Sequence, residues 1–133
     1  MSKAVNLEAS YDLIMAALTI WREARGEPLE GKTAIWNVLK NRLASKRWGK
    51  TMPRVVTARW QFSSFNEGDP NATKFPLPED TSWQECLAIV SGNGPDITQG
   101  AMFYFDPNKA NPPWAATMIK TGSFGNHDFY PEP

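Results

Sequence analysis

The sequence predicts a mainly α-helical (α+β) fold, formed as a single domain over residues 1–133 with a small extended or β element near its C-terminal end. The length of 133 residues corresponds to one domain. Apolar residues make up 41% of the chain and charged residues 21%, as in globular proteins that bury a core. Apolar residues recur at helical spacing in three segments, whereas glycines and aromatic residues punctuate the C-terminal third.

The first two helices are predicted from their apolar faces and end signals. The first begins at the possible N-cap Ser10 and ends within residues 23–27, because Gly26 and Pro28 stop it. The second begins near Pro28, which suits a first helical position. The predicted buried positions are Leu13, Ala16, Ala17, Ile20, Trp21 and Ala24 in the first helix, and Ala34, Ile35, Val38, Leu39 and Leu43 in the second.

The third predicted helix covers residues 83–91. Ser82 and Glu85 stand at capping-box spacing before it, and Gly92 ends it. The preceding residues 60–80 predict a long ordered loop, of the kind that often carries function. After the helix we expect a short strand in residues 100–105, a brief helical piece from Pro112, and extended chain over residues 122–130.

Composition excludes several classes of protein. The single cysteine, Cys86, cannot form an intramolecular disulfide, and no apolar run approaches the roughly 20 residues of a membrane span. His127 is the one histidine, so no zinc site and no other metal or cofactor is expected. Fourteen basic residues balance fourteen acidic ones, which argues against a nucleic-acid binder.

The balance conceals a basic segment, residues 31–66, that contains no acidic residue. Its side chains could form a positive surface that attracts an anionic envelope polymer. They could equally be a solvated helix face and loop, as runs of charge usually are. The basic residues are Lys32, Lys40, Arg42, Lys46, Arg47, Lys50, Arg54 and Arg59.

Glu23 is the best candidate for acid chemistry. Cleavage of a glycosidic bond needs a carboxyl group that stays protonated near neutral pH, which burial against apolar groups achieves. Glu23 lies on the last turn of an apolar helix, although it could instead form a surface salt bridge with Arg22 or Arg25. We expect Arg22 to point away from it. Glu27 is either a second carboxylate of the site or the N-cap of the second helix.

Aromatic residues outside the predicted helices are the second informative group. Sugar rings present apolar faces to aromatic planes, so such side chains could line a polysaccharide site. They could also fill the core. These residues are Trp60, Phe62, Phe65, Phe103, Tyr104, Phe105, Trp114, Phe124, Phe129 and Tyr130.

Several short motifs occur in one order along nearly the whole chain. They are Glu23-Ala24-Arg25-Gly26-Glu27, Asn41-Arg42, Gln61-Phe62-Ser63, Tyr104-Phe105, Pro113-Trp114-Ala115 and Gly125-Asn126-His127. Together they resemble the SleB-type cell-wall hydrolases, a family of spore-cortex-lytic enzymes and phage lysins.

The resemblance implies a lysozyme-like domain that cleaves peptidoglycan between N-acetylmuramic acid and N-acetylglucosamine. It implies a lytic transglycosylase in which Glu23 protonates the glycosidic oxygen and then accepts the proton of the muramic acid C6 hydroxyl, which closes a 1,6-anhydro ring. The substrate-binding residues that it implies are Glu27, Gln61, Ser63, Asn66, Tyr104 and His127, with Asn126 and His127 supporting the site.

Two other functions stay open from the sequence: a muramidase, which would hydrolyse the same bond, and a non-catalytic peptidoglycan-binding module. The first eight residues lack the pattern of a signal peptide. We therefore expect a monomeric, endolysin-like protein that is made in the cytoplasm and reaches the wall during phage lysis. Its partner would be the glycan strands of peptidoglycan, with no nucleic acid and no membrane span.

Overall fold

The computed structural model describes residues 6–58 and 62–131, and within them the fold is mainly helical with one small sheet, as predicted. The helices are α1 (Leu7–Ala24), α2 (Leu29–Ser45), α3 (Met52–Val56) and α4 (Thr81–Ser91). The strands are β1 (Phe103–Phe105), β2 (Gly122–Phe124) and β3 (His127–Tyr130). Short 3-10 turns cover Ser63–Phe65, Pro70–Thr73 and Pro113–Thr117.

Helix α1 is the central element of the core, and its C-terminal half packs against the other three helices. It begins earlier than predicted, because the Asn6 side chain rather than Ser10 caps it, accepting the N–H of Ala9 at 3.0 Å. The expected burial of Leu13 is also wrong, since this side chain lies on the exposed N-terminal half of the helix. The apolar face from Ala16 to Ala24 is buried as predicted.

The corner between α1 and α2 follows from Gly26 and Pro28. Helix α1 ends at Ala24, whose carbonyl accepts the N–H of Glu27 at 2.9 Å. The N-cap of α2 is Pro28, so Glu27 is not the cap that one interpretation of the sequence made it, and Pro28 stands one position before the first helical residue. The carboxyl group of Glu27 is therefore available for contacts elsewhere.

Helix α4 begins at Thr81 after the N-cap Asp80, so the predicted capping box is wrong. Its two residues serve packing between helices instead. The Ser82 hydroxyl accepts the indole N–H of Trp21 at 3.1 Å, and Glu85 pairs with Lys32 at 2.8 Å.

Helix α3 was not predicted, because five residues are too few to show a helical period. It lies within the basic segment, and the Thr51 hydroxyl caps it by accepting the N–H of Arg54. Its apolar residues Met52, Val55 and Val56 are buried, and the helix packs on α1 and α2. The segment therefore contributes to the core as well as to the surface.

The sheet is antiparallel with strand order β1-β3-β2. Tyr104 pairs with Phe129, and its ring lies on the same face of the sheet as His127. The ring of Phe62 packs against this face from outside the sheet. The opposite face of β1 packs against Trp114. A two-residue turn with Gly125 first, at φ 60°, joins β2 to β3, as such hairpins require.

Only part of the basic segment lies at the protein surface. Lys32 and Arg42 are buried, which neither interpretation of the sequence foresaw. Arg42 donates to the carbonyl of Met102 at 2.7 Å, and its guanidinium lies over the ring of Trp48 at 4.4 Å. Arg59 lies outside the described residues. In the described part of the chain, no helix is both long enough and apolar enough to cross a membrane.

Candidate active site

A cleft of about 330 Å³ opens between the α1–α2 corner and the end of the sheet. Backbone and side chains from three regions meet there: the last turn of α1, the segment that follows β1, and the β2–β3 turn. The residues that line it are Arg22, Glu23, Ala24, Arg25, Gly26, Glu27, Asp106, Lys109, Asn126 and His127. The cleft thus brings together Glu23, Glu27 and His127 of the residues predicted from the sequence.

Glu23 projects into this cleft from the last turn of α1 and is half-buried. Burial raises the pKa of its carboxyl group above the ordinary value, and the negative charge of Asp69 raises it further. Hydrogen bonding with Ser64 opposes these effects, since the Ser64 backbone N–H donates to Oε1 of Glu23 at 3.3 Å. The net result is a carboxyl group that keeps its proton to higher pH than an exposed glutamate does.

The side chain of Arg22 is directed away from the Glu23 carboxyl, as expected. Its guanidinium donates to the carbonyl oxygens of Lys74, Ala72 and Ser64 at 3.1, 3.2 and 3.4 Å. The charge of Arg22 consequently does not contribute to the shift in the pKa of Glu23.

Glu27 is the second acidic residue of the cleft, and donors already surround its carboxylate. The backbone N–H of Asn126 lies 3.2 Å from Oε1, and the side-chain amide of Asn126 donates to Oε2 at 3.0 Å. Nδ1 of His127 is 2.7 Å from Oε1. The side chain of Glu27 is only 7% exposed. It therefore ties the α1–α2 corner to the β2–β3 turn.

Glycine makes this close approach possible. A Cβ atom on Gly125 would lie 3.0 Å from Oε2 of Glu27 and 3.1 Å from Cδ of Pro28, closer than side-chain carbons normally come. The positive φ of Gly125 also disfavours any other residue there. The Gly-Asn-His motif thus has a steric role as well as a polar one.

Tyr104 stands behind His127, with the two ring centroids 5.2 Å apart, and is not part of the cleft lining. Burial raises the pKa of its phenol, and the nearby charge of Glu23 raises it further, while Arg42 lowers it. The hydroxyl group therefore keeps its proton, and it lies close enough to Glu23 for the carboxylate charge to oppose its ionisation.

The remaining predicted site residues are placed less directly. Gln61 lies outside the described residues. Ser63 is described only through its backbone, which belongs to the 3-10 turn Ser63–Phe65. Asn66 does not line the cleft, because the chain turns there and its carbonyl accepts the N–H of Asp69 at 3.1 Å.

Sequence analysis missed two residues of the cleft, Asp106 and Lys109. Both come from the segment directly after β1. The Asp106-Pro107 pair indicated only where the strand ends. Among the residues that the structure describes, no three His, Cys, Asp or Glu side chains gather as a metal site would require.

Comparison with known families identifies the fold. The family model described as "Cell Wall Hydrolase" matches residues 26–130. The chain belongs to this cell wall hydrolase family. The match includes Glu27, Tyr104 and His127 but begins after Glu23, so the candidate acid is placed by the cleft geometry and not by the family match.

Curated relatives of this cell wall hydrolase include the spore cortex-lytic enzymes of Halalkalibacterium halodurans and Bacillus subtilis. Each is 30% identical, over 97% and 95% of this chain respectively. The chain spans 38% and 40% of the length of these two relatives.

Two solved structures are similar over nearly the whole chain. The catalytic domain of the Bacillus cereus SleB protein has a TM-score of 0.74 at 25% identity and covers 98% of this chain and 97% of that one. The catalytic domain of the germination-specific lytic transglycosylase SleB from Bacillus anthracis has a TM-score of 0.74 at 28% identity, with 96% and 99% covered. The fold is therefore the lysozyme-like one of these domains, as the resemblance implied.

Proposed function

We propose that this chain is a peptidoglycan lytic transglycosylase that cleaves the bond between N-acetylmuramic acid and N-acetylglucosamine, with Glu23 as the catalytic residue. The observation that carries the proposal is the Glu23 carboxyl group, which projects into the cleft with a raised pKa. A solved relative, SleB from Bacillus anthracis, is named as a lytic transglycosylase, which supports this class of activity.

The first step is protonation of the glycosidic oxygen. Burial disfavours the charged form of Glu23, so its carboxyl group keeps the proton to higher pH than an exposed glutamate does and can act as a general acid. The bond to the muramic acid C1 carbon then breaks with development of an oxocarbenium-like centre. The proton moves to the departing N-acetylglucosamine oxygen and leaves Glu23 as a carboxylate.

The second step closes the 1,6-anhydro ring. The Glu23 carboxylate accepts the proton of the muramic acid C6 hydroxyl, and the hydroxyl oxygen attacks C1. One carboxyl group serves both steps, so no second carboxylate is needed to activate water. This fits the state of Glu27, whose oxygens are already held by Asn126 and His127.

Around Glu23 we propose supporting roles for its neighbours. The Tyr104 hydroxyl lies near enough to Glu23 for the carboxylate charge to raise the pKa of the phenol. A hydroxyl group that keeps its proton is a donor, so we propose that it stabilises the Glu23 carboxylate between the two steps. Glu27 and His127 hold the β2–β3 turn as one wall for the substrate. Direct contacts of Gln61, Ser63 and Asn66 with sugar stay predictions from the resemblance.

Glu23→Gln tests the proposal on purified sacculi, with product masses determined by mass spectrometry. We expect loss of turbidity clearing and of 1,6-anhydro products. Glu30→Gln is the matched control, because Glu30 is exposed in the first turn of α2 and should leave activity unchanged. Retained cleavage in Glu23→Gln would refute the catalytic assignment.

Hydrolysis by a muramidase mechanism is the second candidate, and Asp69 is the observation that favours it. Its charge acts on Glu23, so it lies near enough to be considered as a base for water. However, its Oδ1 accepts the N–H of Asn71 at 2.8 Å as the cap of a 3-10 turn. Reducing-end products without anhydro sugar would favour hydrolysis, and sacculus binding without cleavage would favour a binding module.

The biological setting is a separate proposal. The named relatives of this chain are spore cortex-lytic enzymes. That name does not by itself favour the endolysin role expected from the sequence. We keep release to the wall during phage lysis as a prediction. Expression in a bacterial host with and without a pore-forming membrane protein tests it: lysis that requires the pore would support release through a membrane lesion, and lysis without the pore would contradict it.

A further inference from the structure

We propose that Arg22 is a positioning residue that holds the loop of residues 64–74 over Glu23. The residue directly before the catalytic acid would thereby control the access of water to Glu23. This inference rests on the proposed function of Glu23. The proximity of Arg22 in sequence would suggest that its charge acts on Glu23, whereas its hydrogen bonds and the charge of Asp69 connect it to the loop.

The contacts of Arg22 extend across one loop. Its three hydrogen bonds reach Ser64 at the start of the loop and Ala72 and Lys74 at its end. A guanidinium group has five N–H donors in a fixed planar arrangement, so it can hold several carbonyl oxygens in one geometry. The loop ends are therefore joined through one side chain of α1.

Two aromatic rings complete the arrangement. The Arg22 guanidinium carbon lies 5.2 Å from the ring centroid of Phe65 and 4.8 Å from that of Phe75. Arg22 is only 6% exposed, whereas Phe75 is 68% exposed. Phe75 thus covers the guanidinium from the solvent side while remaining largely exposed itself, and a cation–π contact accounts for its position.

The loop acts on Glu23 through Ser64. The carbonyl of Ser64 accepts from Arg22, and the N–H of the same residue donates to Glu23. Asp69, on the same loop, supplies the negative charge that acts on the Glu23 carboxyl. Releasing Arg22 would therefore free the backbone that covers Glu23 and would move the Asp69 charge away from it.

The direction of the consequence follows from the causes of the shift. Desolvation is the largest contribution that raises the pKa of Glu23, and Asp69 adds to it, whereas the Ser64 hydrogen bonds lower it. A loosened loop weakens all three effects, and because desolvation is the largest of them we expect the pKa of Glu23 to fall. Arg25 also contacts this loop, because it donates to Asn71. The other charged or titratable groups beside Glu23 belong to other parts of the chain, namely Glu27, Tyr104, Asp106, Lys109 and His127.

The test compares the pH profiles of cleavage for Arg22→Gln and Arg22→Lys on sacculi. The alkaline limb of the profile reports the pKa of the essential acid. We expect this limb to move to lower pH in both variants, so that activity well above both pKa values falls about tenfold for each pH unit of displacement. Lysine keeps the charge but not the fork of donors, so a wild-type profile in Arg22→Lys would overturn the proposal.

Lys32→Gln is the matched control, because Lys32 is also a buried cation but pairs with Glu85 on α4, away from the cleft. It should lower the unfolding temperature without moving the alkaline limb. If Arg22→Gln fails to fold, Phe75→Ala replaces an exposed ring and should give a smaller displacement in the same direction. An unmoved limb in the folded Arg22 and Phe75 variants would overturn the inference, while inactivity of Glu23→Gln would still support the proposed function.

Discussion

Nδ1 of His127 lies 2.7 Å from Oε1 of Glu27, although 100 positions separate the two residues in the sequence. This contact joins the corner after α1 to the last strand of the sheet. The candidate cleft lies directly beside it, so the shape of the cleft depends on a connection between distant parts of the chain.

Removing the Glu27 carboxylate should therefore destabilise the fold. In Glu27→Ala, the backbone N–H and side-chain amide of Asn126 lose their acceptor, and Nδ1 of His127 loses its close contact with Oε1. Hydrogen bonds to a charged group contribute about 1.5–3 kcal/mol to stability, a loss that urea denaturation can measure. Glu30→Ala, at an exposed position of α2, serves as the control and should change stability little. Equal stability of the two variants would contradict the structural role of Glu27.

Glu23 should reduce stability at neutral and alkaline pH. Because burial raises the pKa of its carboxyl group in the folded state, the folded protein binds the proton more tightly than the unfolded chain. The favourable contribution is complete below the unfolded-state pKa and is lost as the pH rises through the folded-state pKa. The stability of Glu23→Gln relative to wild type should thus increase with pH over this window. Urea denaturation across the pH range measures the difference, and a constant difference would contradict the burial of the acid.

Gly125→Ala should destabilise the β2–β3 turn and displace Glu27. The positive φ of Gly125 costs about 1–2 kcal/mol for an L-residue with a side chain. Its new Cβ would also press on Oε2 of Glu27. Gly94→Ala is the control, since Gly94 has open space around it and does not have a positive φ. Thermal unfolding of both variants tests this, and a wild-type unfolding temperature for Gly125→Ala would count against the turn geometry.

Attraction to an anionic envelope should depend on the exposed part of the basic segment. Lys46, Lys50 and Arg54 are exposed, whereas Lys32 and Arg42 are buried. Sacculus clearing should slow as salt rises from 0.01 M to 1 M, because the Debye length shrinks from about 30 Å to about 3 Å. A Lys46→Glu and Lys50→Glu double variant should lose most of this salt dependence. Salt-insensitive clearing by the wild type would leave these residues as an ordinary solvated surface.

The helical part of the fold could be predicted because periodicity is a local property. The buried face of α1 from Ala16 onward and the stop after Ala24 both follow from residues a few positions apart. The predicted start of α1 was wrong because Ser10 and Asn6 are both good N-cap residues, and the sequence does not decide between them.

The site could be predicted only in part. The position of Glu23 at the rim of a cleft follows from an acidic residue at the end of an apolar helix. Its role as the acid comes from the family resemblance and stays a prediction. The donors to Glu27 could not be derived from local spacing, because Asn126 lies 99 positions away. Asp106 and Lys109 carried no signal that pointed to the cleft. The burial of Lys32 likewise depends on Glu85, 53 residues further along.

The strand order has a consequence for biosynthesis. The middle strand of the sheet, β3, is the last of the three to leave the ribosome, and it carries His127. Neither β1 nor β2 has a neighbour to pair with before it emerges. A nascent chain that stops short of Tyr130 would hold Glu23 on a finished helix without the opposite wall of its cleft. The proposed activity should therefore arise abruptly, when translation has passed this strand.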